Sequence, residues 1–342
     1  MSLLRELIPN LIDEVLLYFS FNPDSPEEDF TKRNIAQLML KLKDKFVVDD
    51  DSDRIKELVN ICDSLCDIMP LKNISRDPMG YNSCYYWGGK FSNGAYYRKM
   101  SFSDREKYFG KWENAVFGFK FVYEKYKKFV LPLVYTNFDG IESIGTCFVA
   151  GRSFIITARH CLEGSKSISI GKIPFANYAG AQVLYHSNVN IDIAVIVVNE
   201  LPEHGFVCEC ECNVLDKVIT MGYPRIPGYT CFQTTEEATI SAIPEKRFAV
   251  TEGQVAAEAQ QLWSRENLFL ITAKIKGGNS GGPVINEFGE CIGVVSSIPF
   301  SEGGDYDDLG YGTAIPIKFA AEIVDGSKQE VVDNINFVEY RY

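Results

Sequence analysis

The residue with the clearest chemical potential is Ser280, which stands in the glycine-rich segment 277–283, Gly-Gly-Asn-Ser-Gly-Gly-Pro. Its glycine neighbours carry no Cβ atom to obstruct a substrate, and they leave backbone N–H groups free to point outward. A serine nucleophile beside an oxyanion-binding turn requires both features. Upstream lie His160, in Thr-Ala-Arg-His-Cys, and Asp192, in Asp-Ile-Ala-Val. The order His160, Asp192, Ser280 predicts nucleophilic catalysis by a serine.

These three segments resemble those of the chymotrypsin-like (trypsin-fold) serine proteases, in which the chain order His, Asp, Ser is characteristic. The Gly-Asn-Ser-Gly sequence is similar to that of the HtrA/Deg and glutamyl-endopeptidase branch. The resemblance extends to segments that look like strands of that fold, which are residues 145–149, 154–158, 217–224, 293–297 and 310–316. It implies a double antiparallel β-barrel, with the histidine and the serine supplied by different barrels.

The resemblance also implies a role for each residue. Ser280 Oγ attacks the substrate carbonyl, and His160 takes the serine proton and returns it to the leaving amine. Asp192 orients the imidazole and stabilises its protonated form. The backbone N–H groups of Gly278 and Ser280 bind the oxyanion. This chemistry requires neither a cofactor nor a metal.

Each residue also has a plainer interpretation. Taken alone, His160 fits an ordinary core histidine, and Asp192 fits a carboxylate at a strand edge. The coincidence of three segments in the family order favours the triad. The chain has only two other histidines, His186 and His204, which match no motif, and we expect both on the surface or in loops.

The residue before the nucleophile is Asn279, where the digestive relatives have an aspartate. A neutral side chain cannot form an ion pair with a newly released α-amino group, so we expect no activation by N-terminal cleavage. The specificity pocket is predicted at Lys274, Ser296, Ser297, Ile298 and Gly312. A cation at the base of that pocket would favour an acidic P1 side chain, but a lysine that extends into solvent leaves the preference open.

The net charge of −12 disfavours nucleic acid and anionic membrane surfaces as partners. The expected partners are a protein or peptide substrate and a protein regulator bound through N-terminal helices. Glu6, Asp13 and Glu14 interrupt the first apolar run, which excludes a secretory signal there, and no uncharged stretch reaches the roughly 18 residues that span a bilayer. We therefore expect a cytoplasmic protein, with export by a non-Sec apparatus left open.

Ten cysteines would be thiols in that compartment. Cys161 occupies a position where secreted relatives form a disulfide, but Cys147, the nearest upstream cysteine, lies past the partner position that the resemblance implies, so we expect no bridge. Cys208, Cys210 and Cys212 would share one face of a strand. Their spacing departs from the usual Cys-x₂₋₄-Cys of zinc sites, so packing in a core is favoured over a metal site.

Residues 1–70 predict a small helical bundle that serves as an adaptor or regulatory domain. An apolar stripe predicts one helix over residues 3–19, a capping box at Ser25 opens a second, and Asp51 or Ser52 caps a third that ends before Pro70. Residues 71–127 predict an aromatic-rich connector, with a hairpin turn at 93–94 and a helix from about residue 103 to about residue 127. The aromatic residues of 81–97 favour a packed seam between domains over a binding surface.

The predicted fold class is α+β and multidomain, with the helical bundle followed by the protease domain at 128–326 and a C-terminal tail at 327–342. The leading hypothesis is a serine endopeptidase whose helical region regulates activity or recruits a partner. One alternative is a non-catalytic scaffold that keeps the protease fold for protein binding. Another is a viral protease that processes a polyprotein.

Overall fold

The computed structural model of this chain describes residues 3–22, 24, 33–43, 51–69, 71–87, 93–208, 211–224, 247–260, 265–296, 310–332 and 335–341. The chain forms two compact units, Met1–Val122 and Tyr123–Tyr342. Helices dominate the first unit, and strands dominate the second. The α+β prediction is therefore confirmed.

The first unit and its boundary contain α1 (Leu3–Leu7), α2 (Leu11–Phe19), α3 (Ile35–Lys43), α4 (Asp51–Ile68), β1 (Leu71–Ser75), β2 (Cys84–Trp87), α5 (Asn93–Lys99) and α6 (Phe102–Tyr126). The predicted single helix over residues 3–19 is two helices, because Pro9 lacks an N–H donor and disfavours helical geometry in the residue before it. Among the described residues, no helix is both long and apolar enough to cross a membrane.

One hydrophobic core contains residues from before and from after position 70 of the sequence. Leu4 and Leu58 belong to it together with Tyr85 and Trp87 of β2. Tyr85, Trp87 and Tyr97 therefore pack into the core of the first unit itself, with the ring centroids of Trp87 and Tyr97 5.2 Å apart, whereas Tyr96 is exposed. The predicted division at residue 70 falls inside this packed unit.

The hairpin predicted at Asn93–Gly94 is wrong, because α5 begins there. Gly94 instead allows the start of α5 to pass close to the backbone of Trp87, because a Cβ atom at this position would lie 2.3 Å from the carbonyl oxygen of Trp87. A helix begins near Ser103 as predicted, but α6 is broken at Gly118, where φ is +71° and ψ is −173°, and Ser101 caps its start. The Ser101 hydroxyl accepts from the Asp104 amide at 3.2 Å and donates to the Asp104 carboxylate at 2.7 Å.

The described residues of the second unit form a run of short strands and, after residue 316, an α-helix. Its strands are β3 (Val130–Asn137), β4 (Glu142–Ala150), β5 (Phe154–Thr157), β6 (Ser165–Ile170), β7 (Gln182–His186), β8 (Ala194–Val197), β9 (Lys217–Gly222), β10 (Ala249–Gln260), β11 (Asn267–Ile271), β12 (Pro283–Asn286), β13 (Cys291–Val295), β14 (Gly312–Pro316), β15 (Gln329–Val332) and β16 (Asn336–Phe337). The helix is α7 (Lys318–Val324).

These strands form two layers, which confirms the predicted chymotrypsin-like β-architecture. The first is an eight-stranded sheet in the order β15-β7-β8-β5-β4-β3-β6-β16, and the second is a closed barrel in the order β10-β11-β14-β13-β12-β9. Within the described ranges, the strand pairs of both layers are antiparallel, except that β16 runs parallel to β6. Most strands are apolar and buried because each layer encloses its own core.

The predicted C-terminal tail is part of the first sheet, because β15 pairs with β7 and β16 pairs with β6. His186, expected on the surface or in a loop, ends β7 and is only 2% exposed. Its Nε2 lies 3.0 Å from a carboxylate oxygen of Glu322 on α7, and the Asn188 amide donates to its Nδ1. Its role is therefore structural, and it joins α7 to the sheet.

Candidate functional site

His160 and Asp192 are brought together by two paired strands of the first sheet. β5 runs into the short turn that carries His160, and Asp192 precedes β8, with Thr157 of β5 opposite Ala194 of β8. His160 Nδ1 lies 2.8 Å from Asp192 Oδ2, and the His160 amide donates to Asp192 Oδ1 at 2.9 Å. The carboxylate therefore fixes both the backbone and the ring of the histidine.

His160 and Asp192 each favour the charged form of the other. Burial opposes protonation of His160, but the hydrogen bonds of its ring with Asp192 and Cys161 outweigh burial and raise its pKa above the ordinary 6.5. Burial likewise opposes ionisation of Asp192, but His160 and a hydrogen bond from Ser296 lower its pKa. The His160 side chain remains 45% exposed, so a substrate can reach its free nitrogen.

Ser280 lies on a tight turn between β11 and β12. Gly278 and Gly281 have φ values of +97° and +85°, a region that favours glycine. A Cβ atom on Gly281 would also lie 2.1 Å from the carbonyl oxygen of Thr146. The Gly281 amide donates to the carbonyl of Val295 at 2.7 Å, which ties the turn to β13.

Ser296, which follows β13, contacts both Ser280 and Asp192. The Ser280 hydroxyl donates to the Ser296 carbonyl oxygen at 2.9 Å. The Ser296 hydroxyl donates to Asp192 Oδ2, the oxygen that also faces His160 Nδ1. Among the described residues, no hydrogen bond joins Ser280 to His160. The Cys161 thiol, next to His160, lies 3.8 Å from the Ser280 carbonyl oxygen, so the serine and histidine segments are in contact.

The amides of Gly278 and Ser280 are the predicted oxyanion donors. Neither the Gly278 amide nor the Ser280 amide donates a hydrogen bond to any protein acceptor in the described part of the chain. The amide between them, that of Asn279, donates to the Lys276 carbonyl oxygen at 3.0 Å. The two outer amides are therefore left for a ligand oxygen.

Thr146 on β4 is a site residue that the sequence analysis missed. Its hydroxyl donates to the Gly278 carbonyl oxygen at 2.7 Å and accepts from the Tyr223 amide at 2.9 Å. Its own amide donates to the Ser280 carbonyl oxygen at 2.9 Å. Thr146, which lies in the first sheet, thus donates hydrogen bonds to two carbonyl groups of the turn that carries Ser280 (the nucleophile turn). The sequence feature that could have indicated Thr146 is its position after Gly145, in a segment that resembles a strand of the trypsin-fold proteases.

Of the residues predicted to form the specificity pocket, the structure describes Lys274, Ser296 and Gly312. Lys274 is exposed, and its backbone carbonyl accepts from the Thr251 hydroxyl, so its charge lies in solvent. Ile275 lies over Gly312, because a Cβ atom on Gly312 would be 2.0 Å from Ile275 Cδ1. The Ser296 side chain points to Asp192 instead of lining a pocket. Ser297 and Ile298 lie outside the described residues.

Asn279 is only 5% exposed, and its Oδ1 atom has no hydrogen-bond partner in the described part of the chain. That activation needs no N-terminal cleavage stays a prediction. Cys147 and Cys161 are both free thiols, and both are buried. Within the described ranges, no three His, Cys, Asp or Glu side chains are grouped as metal ligands would be.

The cysteine run is only partly described. Cys208 is exposed and Cys212 is partly buried, both as free thiols, and Cys210 lies outside the described residues. Cys212 packs against the core of the closed barrel, as the core-packing interpretation expects. Cys208 contacts Cys291 of β13 instead.

Comparison with known proteins identifies a similar domain. Residues 145–294 match the family model of a trypsin-like peptidase domain. The serine endoprotease DegS of Escherichia coli strain K12 is 28% identical over 182 residues, which are 51% of this chain and 45% of that protein. The serine protease Do-like HtrB of Bacillus subtilis strain 168 is 29% identical over 181 residues, 51% of this chain and 35% of that protein.

The chain spans less than half of the length of these two curated relatives. Among solved structures, the Rv3671c protease of M. tuberculosis in its active form is similar with a TM-score of 0.46 and 20% identity. That similarity covers 63% of this chain and 88% of that chain.

Proposed function

We propose that the chain is a serine endopeptidase, on the premise that residues 145–294 match the family model of a trypsin-like peptidase domain. The proposed catalytic residues are Ser280, His160 and Asp192. The observation that carries the proposal is the contact between Asp192 and His160 Nδ1 at 2.8 Å, in a unit where Ser296 also joins Asp192 to Ser280. Proteins and peptides are the proposed substrates.

In the proposed reaction, Ser280 Oγ attacks the carbonyl carbon of the scissile peptide bond while His160 Nε2 accepts the hydroxyl proton. Asp192 keeps the proton of the neutral ring on Nδ1, so that Nε2 is the free acceptor. The tetrahedral oxyanion is bound by the Gly278 and Ser280 amides. His160 then donates its proton to the leaving amine, and a water molecule releases the acyl group by the same steps in reverse order.

The Ser280 hydroxyl must rotate before this reaction begins. It donates to the Ser296 carbonyl oxygen at 2.9 Å, whereas catalysis requires donation to His160 Nε2. We propose that substrate binding favours a rotamer of Ser280 that donates to His160 Nε2.

Covalent labelling with a fluorophosphonate probe tests the catalytic proposal. We expect the intact chain to be labelled at Ser280, and Ser280→Ala to lose all labelling. Ser167→Ala, at a serine of β6 away from the nucleophile turn, is the control and should be labelled as the unmodified chain is. Absence of labelling over the full pH range of folding would favour the non-catalytic scaffold.

We further propose that the first unit recruits a protein partner or restrains the peptidase. The support is that Met1–Val122 has its own hydrophobic core and contains none of the proposed catalytic residues. Cleavage of a short peptide and of a protein substrate would be compared between the whole chain and a chain without residues 1–122. Faster peptide cleavage by the shortened chain indicates restraint, and selective loss of protein cleavage indicates recruitment. Equal activity on both substrates would contradict the proposal.

A further inference from the structure

Cys208 and Cys291 form a contact that the proposed peptidase chemistry does not use. Cys208 lies in the segment that connects the sheet to the closed barrel, and Cys291 begins β13 of the barrel. The two residues are paired in an isolated parallel β-bridge, and the Cys291 amide donates to the Val207 carbonyl oxygen at 2.9 Å. Adjacent strands place paired Cα atoms about 5 Å apart, which lies in the range that a disulfide spans.

The two side chains are also close enough for each to shift the pKa of the other. Bridged residues of adjacent strands direct their side chains to the same face, so the two sulfur atoms lie on one side of this bridge. From this geometry we propose that Cys208 and Cys291 are a reversible modification site, a dithiol that small-molecule disulfides oxidise to an intramolecular disulfide.

The unequal exposure of the two thiols sets the order of the steps. Cys208 is exposed and borders a cavity of about 400 Å³, whereas Cys291 is fully buried. The hydrogen bond with Cys291 lowers the pKa of Cys208, and burial raises the pKa of Cys291. Cys208 is therefore the attacking thiolate, and Cys291 resolves the intermediate.

The reaction balances with oxidised glutathione as the oxidant. The Cys208 thiolate attacks one sulfur of the reagent, which breaks the reagent's S–S bond, forms a mixed disulfide and releases one glutathione thiolate. Cys291 loses its proton to solvent and attacks the Cys208 sulfur, which forms the protein disulfide and releases the second glutathione. Two protein thiols are oxidised, and one reagent disulfide is reduced to two thiols.

The site lies close to the proposed catalytic residues along the chain. β13 begins at Cys291 and ends at Val295, directly before Ser296, which contacts both Asp192 and Ser280. A disulfide would fasten the connecting segment to the start of this strand. The inference does not depend on the peptidase proposal, because it concerns thiol chemistry in the folded chain.

The test exposes the folded full chain to excess oxidised glutathione, alkylates the remaining thiols and maps the peptides without reduction. We expect a peptide pair linked between Cys208 and Cys291, lost on reduction. Cys291→Ala should stop at a glutathione adduct on Cys208, because the resolving thiol is absent. Cys208→Ala should leave Cys291 unmodified, because that thiol is buried.

Cys210→Ala and Cys212→Ala are the matched controls, and both should keep the link between Cys208 and Cys291. A link from Cys208 to Cys210 or to Cys212 would overturn the proposal. So would a reaction of the unmodified chain that ends at the glutathione adduct. Each variant must have the same circular dichroism spectrum as the unmodified chain. If a variant fails to fold, the peptide map of the unmodified chain alone decides the outcome.

Discussion

The Ser280 hydroxyl donates its hydrogen bond to the main-chain carbonyl of Ser296, at 2.9 Å. The hydroxyl of Ser296 donates in turn to Asp192, so one residue contacts the proposed nucleophile through its backbone and the proposed acid through its side chain. The two contacts can be separated experimentally, because a side-chain substitution removes only the second.

Ser296→Ala should slow peptide hydrolysis by about 10- to 100-fold, because a hydrogen bond to a charged group contributes about 1.5–3 kcal/mol. The reduction should appear in kcat, with KM nearly unchanged. Ser83→Ala, at a buried serine of the first unit, is the matched control and should retain full activity. Equal rates for Ser296→Ala and the unmodified chain would show that Asp192 does not need this donor.

Activity should depend on pH through His160. The neutral imidazole is the form that accepts the serine proton, so kcat/KM should rise with pH as the ring loses its own proton. The hydrogen bond with Asp192 raises the pKa of His160 above 6.5, so the midpoint of that rise should lie above pH 6.5.

Asp192→Asn removes the charge, so the same midpoint should fall to lower pH while kcat falls by about 10⁴-fold. Asp139→Asn, at an exposed loop residue, is the control and should change neither quantity. A pH–rate profile of Asp192→Asn that keeps the original midpoint would contradict the assignment of Asp192.

Thr146→Val should reduce kcat by about 10-fold or more with a smaller effect on KM. Valine keeps the shape but loses the hydroxyl that donates to Gly278 and accepts from Tyr223, and one buried amide then lacks its acceptor. Thr146→Ser keeps the hydroxyl and should restore most of the activity. The interpretation fails if Thr146→Ser is as slow as Thr146→Val while both variants keep the melting temperature of the unmodified chain.

Substrates with a small apolar P1 residue should be cleaved best. Ile275 fills the space over Gly312, where a deep pocket would need room, and Lys274 is exposed. Ile275→Ala should improve cleavage after leucine relative to cleavage after alanine by about 10-fold, the effect expected of one or two methylene groups.

Lys274→Ala should leave the P1 preference unchanged. A peptide library with each residue at P1 measures both variants. If the unmodified chain cleaves preferentially after glutamate and Lys274→Ala does not, the result supports an acidic P1 preference set by Lys274.

Local patterns predicted much of the fold because they depend on neighbouring residues. The three- and four-residue spacing of apolar side chains predicted α4 and its end before Pro70, and short apolar runs predicted the strands that begin at β3. Two local signals gave wrong results, the apolar stripe that predicted one helix over residues 3–19 and the Asn93–Gly94 pair. Asn93–Gly94 fits a hairpin turn in isolation, but here it begins α5 against Trp87, a contact that no local pattern contains.

The sequence by itself determined which residues have the chemistry for the site: a serine among glycines, one histidine in a matching segment and an aspartate between them. Those assignments depend on residue type and chain order, which a sequence states directly. The tertiary structure alone decided that Ser296 and Thr146 hold the site together, that Lys274 lies in solvent and that Cys208 meets Cys291. These are contacts between residues far apart along the chain, and only the packing of strands from distant segments brings their atoms within hydrogen-bond range.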